Sequence, residues 1–334
     1  MRIAYDVTPL SHPRTGVGNY ILGALKGMLE AGGGHAVIVF GPVSIRGRPL
    51  LDDALTGLDV ERRLVTVPFA HATRRAWGAL GRPSAERVLG DFDVLHFSDW
   101  MRPPQRSGVR ATMIHDLGPL RYPERLHPRT VRMHTGTARE AGKVDVVFVN
   151  SEFTANDAVA RLGVPRERIH VAYPGVDPQF TPDGSRFDHG SPYVFTTATH
   201  DWRKNLETLR AAEIGLPVLS LADLGYIDDG KLPELYRGAE VFVYPSRFEG
   251  FGIPVVEAMA CGVPCVVSSH PSLDEASGDA AVRVDPESPT EIAAGVREAR
   301  ERRDELVERG LAHARRFTWL ETGRAHLQSY ADAL

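Results

Sequence analysis

Short apolar runs and stretches with helix-spaced apolar positions alternate along the chain from end to end. The runs predict strands at residues 2–7, 35–40, 94–97, 110–114, 144–149 and 169–172, with helices at 19–30 and 153–162. Gly32-Gly33-Gly34 ends the first helix, because glycine is a poor helix former and a good stop. The stretch YPGVDPQFTPDGSRFDHGSPY, residues 173–193, breaks the pattern with its Pro, Gly and Asp and reads as a linker. The alternation then restarts with a strand at 193–197, a helix at 205–212 and strands at 241–244 and 265–268. Residues 290–317 form one long charged helical region, whose charges read as a solvated face, and a last helix covers 319–333. Strands alternating with helices define an α/β chain with parallel sheets. The expected organisation is a first domain over 1–175, a linker over 176–192, a second domain over 193–317 and a closing helix over 318–334 that packs back on the first domain.

Composition narrows the class. At 334 residues the chain is too long for one ordinary core and suits two domains. Apolar residues make up 43% and charged residues 25%, a globular composition that excludes a disordered chain. A formal net charge of -4 leaves no global footprint for nucleic acid. Cys261 and Cys265 are too few for a disulfide framework or a zinc site and are expected to be buried, inert thiols. With no signal-peptide pattern and no long apolar span, the expected location is the cytoplasm.

The densest chemistry lies in RFEGFGIPVVEAMACGVPCVV, residues 247–267. Gly250 and Gly252 open backbone conformations closed to other residues. Pro254 suits the first turn of a helix, Gly262 fits its C′ position and Pro264 prevents continuation, so Cys265 begins a buried strand. Glu249 falls in the loop and Glu257 near the first helical turn. Free N–H groups at a helix start attract anions, and a carboxylate there can accept two hydroxyl hydrogen bonds, as from a ribose. The same acids also read as ordinary stabilisation of a helix N-terminus.

Three other places are candidates. Gly16-Val17-Gly18, with Asn19 as helix cap, reads as a strand-to-helix turn able to approach a phosphate. Ile21 stands where a dinucleotide fingerprint needs its third glycine, which argues against a dehydrogenase. Arg203 and Lys204 place two cations just before a helix, an awkward position that a bound anion relieves. His115 and Asp116 follow directly on a strand, at the end where open α/β sheets bind ligands. Each also has a plain reading: a simple turn, an exposed basic turn, a packed histidine.

Taken in order, RTGVGNY, DVLHFSDW, IHDLGPLRYP, VNSEFTANDA, HVAYPGVDPQF, DWRKNLETL, LPELYRGAEVFVYPS and EGFGIPVVEAMACGVPCVVS resemble the retaining glycosyltransferases of family four and span nearly the whole chain. The last segment carries two glutamates at E-x7-E spacing, the most specific of these marks. The resemblance implies the GT-B architecture: two Rossmann-like domains with parallel sheets facing across a cleft, the first meeting the acceptor and the second holding a nucleotide-sugar donor. It implies that Glu257 holds the ribose hydroxyls and Glu249 the donor-sugar hydroxyls, with the amides of Phe251, Gly252 and Ile253 close to sugar and diphosphate. Lys204, with Arg203, then neutralises the diphosphate; Gly16, in the turn with Gly18, approaches the distal phosphate; and His115 sits over the transferred sugar. Neither a metal nor another cofactor is required, and retention follows a front-face path through an oxocarbenium-like state. GDP-mannose is the favoured donor, because HDLGPLRYP with RKN looks like mannosyltransferases of polysaccharide assembly. The acceptor is a glycan, a lipid-linked sugar or a small molecule.

The chain departs from the family pattern in two places. Ala198 or Thr199 occupies the place of a second phosphate-binding arginine, about six positions before Lys204 in many relatives. Around residues 213–225 the chain is shorter by roughly one βα unit, on the order of 20–30 residues, in a region that normally helps hold the nucleobase. That shortening keeps a catalytically silent nucleotide- or glycan-binding protein as the alternative, with a nucleotide-sugar epimerase behind it. Finally, Arg121, Arg125, Arg129, Arg132, Arg139 and Lys143, with Arg74, Arg75, Trp77 and Arg82 upstream, admit two readings. They form a solvated basic face, or a surface with an exposed aromatic that meets a lipid-phosphate acceptor and touches an anionic membrane peripherally.

Overall fold

The computed structural model describes residues 1–13, 15–225, 227 and 229–334, with the backbone alone described at Met133, Thr137 and Asp229. Tyr226 and Asp228, next to the shortened passage, lie outside the described residues. The chain divides into two compact units, one of Met1–Gly175 with Trp319–Leu334, the other of Val176–Thr318.

The first unit is built on β1 (Arg2–Asp6), β2 (Ala36–Val43), β3 (Glu61–Thr66), β4 (Val94–Phe97), β5 (Val109–Ile114), β6 (Val146–Val149) and β7 (Ile169–Val171). They form one parallel sheet in the order β3-β2-β1-β4-β5-β6-β7. β4 and β6 are buried at every position, as strands covered on both faces are. The helix Gly16–Ala31 lies against the closing helix Trp319–Ala333. Two glycines set that approach: a Cβ on Gly23 would stand 2.2 Å from the Trp319 ring, and one on Gly27 1.7 Å from the Trp319 backbone oxygen. His326 of the closing helix stacks on Phe148 of β6 with ring centroids 4.0 Å apart. Tyr330, one turn on, brings its hydroxyl to 2.5 Å from His96 Nδ1 of β4.

The second unit holds β8 (Val194–Thr196), β9 (Val218–Ser220), β10 (Val241–Tyr244), β11 (Cys265–Ser268) and β12 (Ala281–Val284), parallel in the order β12-β11-β10-β8-β9. β8 takes the place that β1 has in the first sheet, and β9 that of β2. Among the described residues no strand lies beyond β9, where β3 lies beyond β2. The shortened passage falls at that edge. Residues 176–192 are folded onto this unit: Phe180 is in its core, Phe187 N–H donates to Glu234 O at 2.9 Å, and Arg237 Nε donates to Ser185 O at 2.7 Å.

Four local expectations are corrected. The charged region 290–317 is two helices, Pro289–Glu301 and Arg303–Ala314, because Arg302 leaves helical geometry with φ -100 and ψ 21. Strands β3, β9 and β12 escape a hydrophobic reading. β3 (ERRLVT) is an edge strand with charged outward residues, and the other two are only three and four residues long. The first helix starts at Gly16, not after Asn19: Thr15, with extended φ -131, is the cap and its side chain accepts from Gly18 N–H at 3.4 Å. Glu257 stands on the second turn of its helix, which begins at Ile253.

Candidate active site

The loop after β10 leads into the helix Ile253–Ala260. Gly252 enters it with φ 103, and a Cβ there would meet Leu273 Cδ2 at 2.5 Å, so both conformation and space demand glycine. Pro254 occupies the first turn, and Gly262, with φ 72, closes the far end by donating its N–H to Met259 O at 3.0 Å.

The turn after β8 is shaped by two short polar residues. Asp201 caps the single turn Trp202–Lys204, its Oδ1 accepting from Arg203 N–H at 3.0 Å. Asn205 then adopts a left-handed φ of 54 and is only 1% exposed. Its Nδ2 donates to Pro245 O at 3.1 Å and to Pro286 O at 2.6 Å, tying this turn to the loop after β10 and so positioning Lys204. Sequence reasoning missed Asn205. The available signal was an asparagine, one of the few residues that tolerate positive φ, between a cation pair and a helix start.

Lys204 Nζ donates to Glu249 Oε1 and to Tyr244 OH, each at 2.7 Å, and Tyr244 OH donates to the same Oε1 at 2.9 Å. Burial alone pulls Lys204 toward neutrality, but Tyr244 and Glu249 more than reverse it, so its pKa is raised and the ammonium stays charged. Burial, then Glu249, raises the Tyr244 phenol, which therefore stays neutral. An ammonium carries three donors, so one Lys204 N–H is not engaged among the described residues. Glu249 Oε2 likewise has no partner among the described residues, and the Lys204 and Glu249 side chains are 23% and 14% exposed. Glu249 N–H donates to Ser272 Oγ at 3.1 Å, fixing the loop. Three residues on, the N–H groups of Gly252 and Ile253 find no acceptor among the described residues. Glu257 Oε2 accepts from the buried Tyr236 hydroxyl at 3.0 Å, which orients that carboxylate.

Arg203 is paired within its own turn. Its Nε and Nη2 donate to Asp201 Oδ2 at 3.1 and 2.8 Å, so its charge is matched within its own turn rather than left for an anion. In the first unit, His115 meets the Tyr20 ring edge-on at 5.3 Å, and burial lowers its pKa to about 4, leaving a neutral imidazole at physiological pH. Asp116 Oδ1 accepts from Gly118 N–H at 2.8 Å and shapes the loop that follows. Gly16 and Gly18 have ordinary backbone φ. Among the described residues nothing lies within 4 Å of a Cβ placed on Gly16, and Leu10 stands 3.8 Å from one on Gly18. The fold itself thus needs a glycine at neither position.

Some of the basic residues read from sequence as one surface are engaged within the first unit. Arg121 is held by Asp157 through two bonds of 2.5 and 2.6 Å, and Lys143 pairs with Glu140 at 2.7 Å. Arg74 is 3% exposed. Trp77 is half-buried beside Phe40, its Nε1 donating to Pro83 O at 2.7 Å, so it is not an exposed aromatic. Among the described residues no helix is long and apolar enough to cross a membrane. Cys261 and Cys265 are buried and unbridged; burial pushes the Cys261 thiol up to about 12 and raises Cys265 as well.

Residues 14–180 match the family described as Glycosyltransferase Family 4, and residues 221–315 match Glycosyl transferases group 1. The chain belongs to the family 4 glycosyltransferases, and its fold is GT-B. It is 26% identical to O-antigen chain mannosyltransferase B of Escherichia coli over 390 residues, covering 96% of each chain. It is 24% identical to D-inositol 3-phosphate glycosyltransferase of Paenarthrobacter aurescens (strain TC1) over 408 residues, covering 99% of this chain and 97% of the other. Among solved structures, sucrose-phosphate synthase from Thermosynechococcus elongatus matches with a TM-score of 0.71 at 18% identity, over 99% of this chain and 98% of the other.

Proposed function

We propose that the chain is a retaining hexosyltransferase that works without metal, takes its sugar from a nucleotide-sugar donor, GDP-mannose by preference, and delivers it to a glycan, lipid-linked or small-molecule acceptor. One observation carries the reading: Lys204 and Glu249 are paired through single atoms, which among the described residues leaves one ammonium N–H and one carboxylate oxygen unpartnered just before the equally unpartnered amides of Gly252 and Ile253. In this reading the open N–H and the amides take the donor diphosphate. As the sugar–phosphate bond breaks, charge grows on the departing nucleoside diphosphate, and donors already fixed in place stabilise it without reorganising. Phe251 lies in the same loop; its ring is buried in the core 5.3 Å from that of Phe317, which fixes the backbone that presents its amide to sugar and diphosphate. Glu249 Oε2 accepts from a sugar hydroxyl, and Glu257, oriented by Tyr236, accepts from the ribose. The neutral His115 serves a sugar hydroxyl as a hydrogen-bond partner rather than as a charge. Arg203 acts through the turn it shares with Lys204. A donor phosphate oxygen takes the acceptor proton, with departure and attack on the same face. The mannose preference is supported by the mannosyltransferase among the relatives.

Two measurements test this. Donor hydrolysis and transfer are assayed with GDP-, UDP-, ADP- and dTDP-sugars in the presence of chelator, with the anomer of the product read by NMR. GDP-mannose turnover with retention is expected; activity that needs added magnesium overturns the metal-free step. Tight nucleotide binding without turnover of any donor establishes the silent binder instead. Calorimetry with GDP on Glu257→Ala should show a loss of about 1.5–3 kcal/mol, the worth of a hydrogen bond to a charged group. Unchanged affinity in the folded variant removes Glu257 from the ribose.

A further inference from the structure

The first unit contains a pocket of about 860 Å3 that the donor chemistry does not use. Among the described residues, four arginines and three histidines line it, against two carboxylates, Asp99 and Glu140. Glu140 already accepts from Lys143 Nζ at 2.7 Å. Burial raises the Asp99 pKa, with His134 opposing, which weakens its hold on charge.

Arg74 is the unusual member. It sits on the helix Ala70–Leu80, whose other residues except Ala70 are at least partly exposed, yet it is itself 3% exposed. Its guanidinium lies over the Trp100 ring at 5.1 Å, and Trp100 is met edge-on by His12 at 4.6 Å. Nε donates to Ala70 O at 3.3 Å, a bond within its own helix. Nη1 is buried with no partner, and among the described residues no carboxylate is within ion-pair distance of it. The carboxylate of Asp6 attracts Arg74 from further away, but its oxygens are taken by Thr8 N–H and by the Ser98 N–H and hydroxyl. A buried guanidinium with an unmade bond is expensive to hold, and its planar fork matches an oxyanion better than a lysine would.

We propose that this pocket binds a phosphate group through Arg74, with His12 and His71 beside it, and that the phosphate belongs to the acceptor of the transfer reaction. The second half of the statement rests on the transferase reading above; the first half does not. A phosphorylated soluble acceptor and a phospholipid headgroup offer the same chemistry.

The test uses the full chain. Inorganic phosphate and glycerol phosphate are titrated calorimetrically into wild type and Arg74→Met, and both proteins are sedimented with phosphatidylglycerol and phosphatidylcholine vesicles at low salt. Binding that weakens at least tenfold in Arg74→Met supports the proposal, in the soluble arm for a soluble phosphorylated acceptor and in the phosphatidylglycerol arm for a lipid headgroup. Binding in neither arm, or binding indifferent to Arg74→Met in both, overturns it. If Arg74→Met does not fold, hydrogen exchange on the wild type decides: phosphate must slow exchange at residues 70–80 and 99–102, and unchanged exchange overturns the site. GDP titration and donor hydrolysis, run in parallel, report the donor site separately, so failure of the transferase reading is distinguishable from failure of this pocket.

Discussion

Lys204 Nζ lies 2.7 Å from Glu249 Oε1, and the Tyr244 hydroxyl donates to that same oxygen at 2.9 Å. The pair joins the turn after β8 to the loop after β10, so the proposed donor chemistry and local stability share the same atoms. Removing either partner leaves a mostly buried charge unmatched, while removing both relieves part of the penalty. Urea melts of Lys204→Met, Glu249→Gln and the double variant should give a coupling of about 1–3 kcal/mol. Strictly additive effects would show that the two residues are not a unit. Each single variant is expected to lose most of its turnover.

Asn205 separates conformational strain from hydrogen bonding. Asn205→Ala forfeits the bonds to Pro245 O and Pro286 O and leaves an alanine at φ 54, so it should destabilise the second unit by about 2–4 kcal/mol. Asn205→Gly forfeits the same bonds without the strain and should be milder by about 1 kcal/mol. Equal losses in denaturant midpoints would mean that the left-handed backbone is not what selects this residue.

The glycines of the first helix make opposite predictions. Gly27→Ala forces a methyl group onto the Trp319 backbone oxygen and should cost about 3 kcal/mol by parting the two helices. Gly16→Ala meets open space at a helical position and should stabilise by about 0.5–1 kcal/mol. If Gly16 admits a phosphate closely, the same variant loses activity while melting higher. Full activity would remove Gly16 from the site.

Acid should weaken the first unit through buried histidines. Burial lowers His326 from 6.5 to about 4, with the bond to Thr322 O opposing, and His96, 5.7 Å from it, is lowered as well. Because the folded values lie below the unfolded ones, the unfolded chain takes up protons first as pH falls. The stability is whole above about pH 6.5 and is lost progressively toward pH 4, by about 2 kcal/mol from His326 alone between pH 6.5 and 5. Melts at pH 7 and pH 5 check this, and His326→Leu should flatten the slope. An unchanged slope in that variant assigns the acid sensitivity elsewhere.

Much of the loop after β10 was legible because its signals are local. Gly252, Pro254 and Gly262 each act through their own backbone geometry, and strand limits at 94–97, 241–244 and 265–268 follow from continuous apolar runs. The misreading at residues 16–19 had the same source. Two glycines before a helix suggested a loop, but Thr15 is the better cap and the glycines join the helix. The glycines that matter to packing, Gly23 and Gly27, look unremarkable in sequence, because what they accommodate is Trp319 at the other end of the chain.

The sequence by itself determined the alternation of strand and helix, hence parallel sheets in two units, and the order of motifs that marks the family. Those depend on periodicity and on residues acting within a few positions of themselves. Only the tertiary structure decided that Lys204 meets Glu249, that Asp201 pairs with Arg203, that Asn205 spans two loops and that Arg74 is buried with its Nη1 unpartnered among the described residues. Period and composition give a residue's face and propensity, but not which distant segment the fold will place against it. Whether a charge is free, paired or stranded depends on that placement.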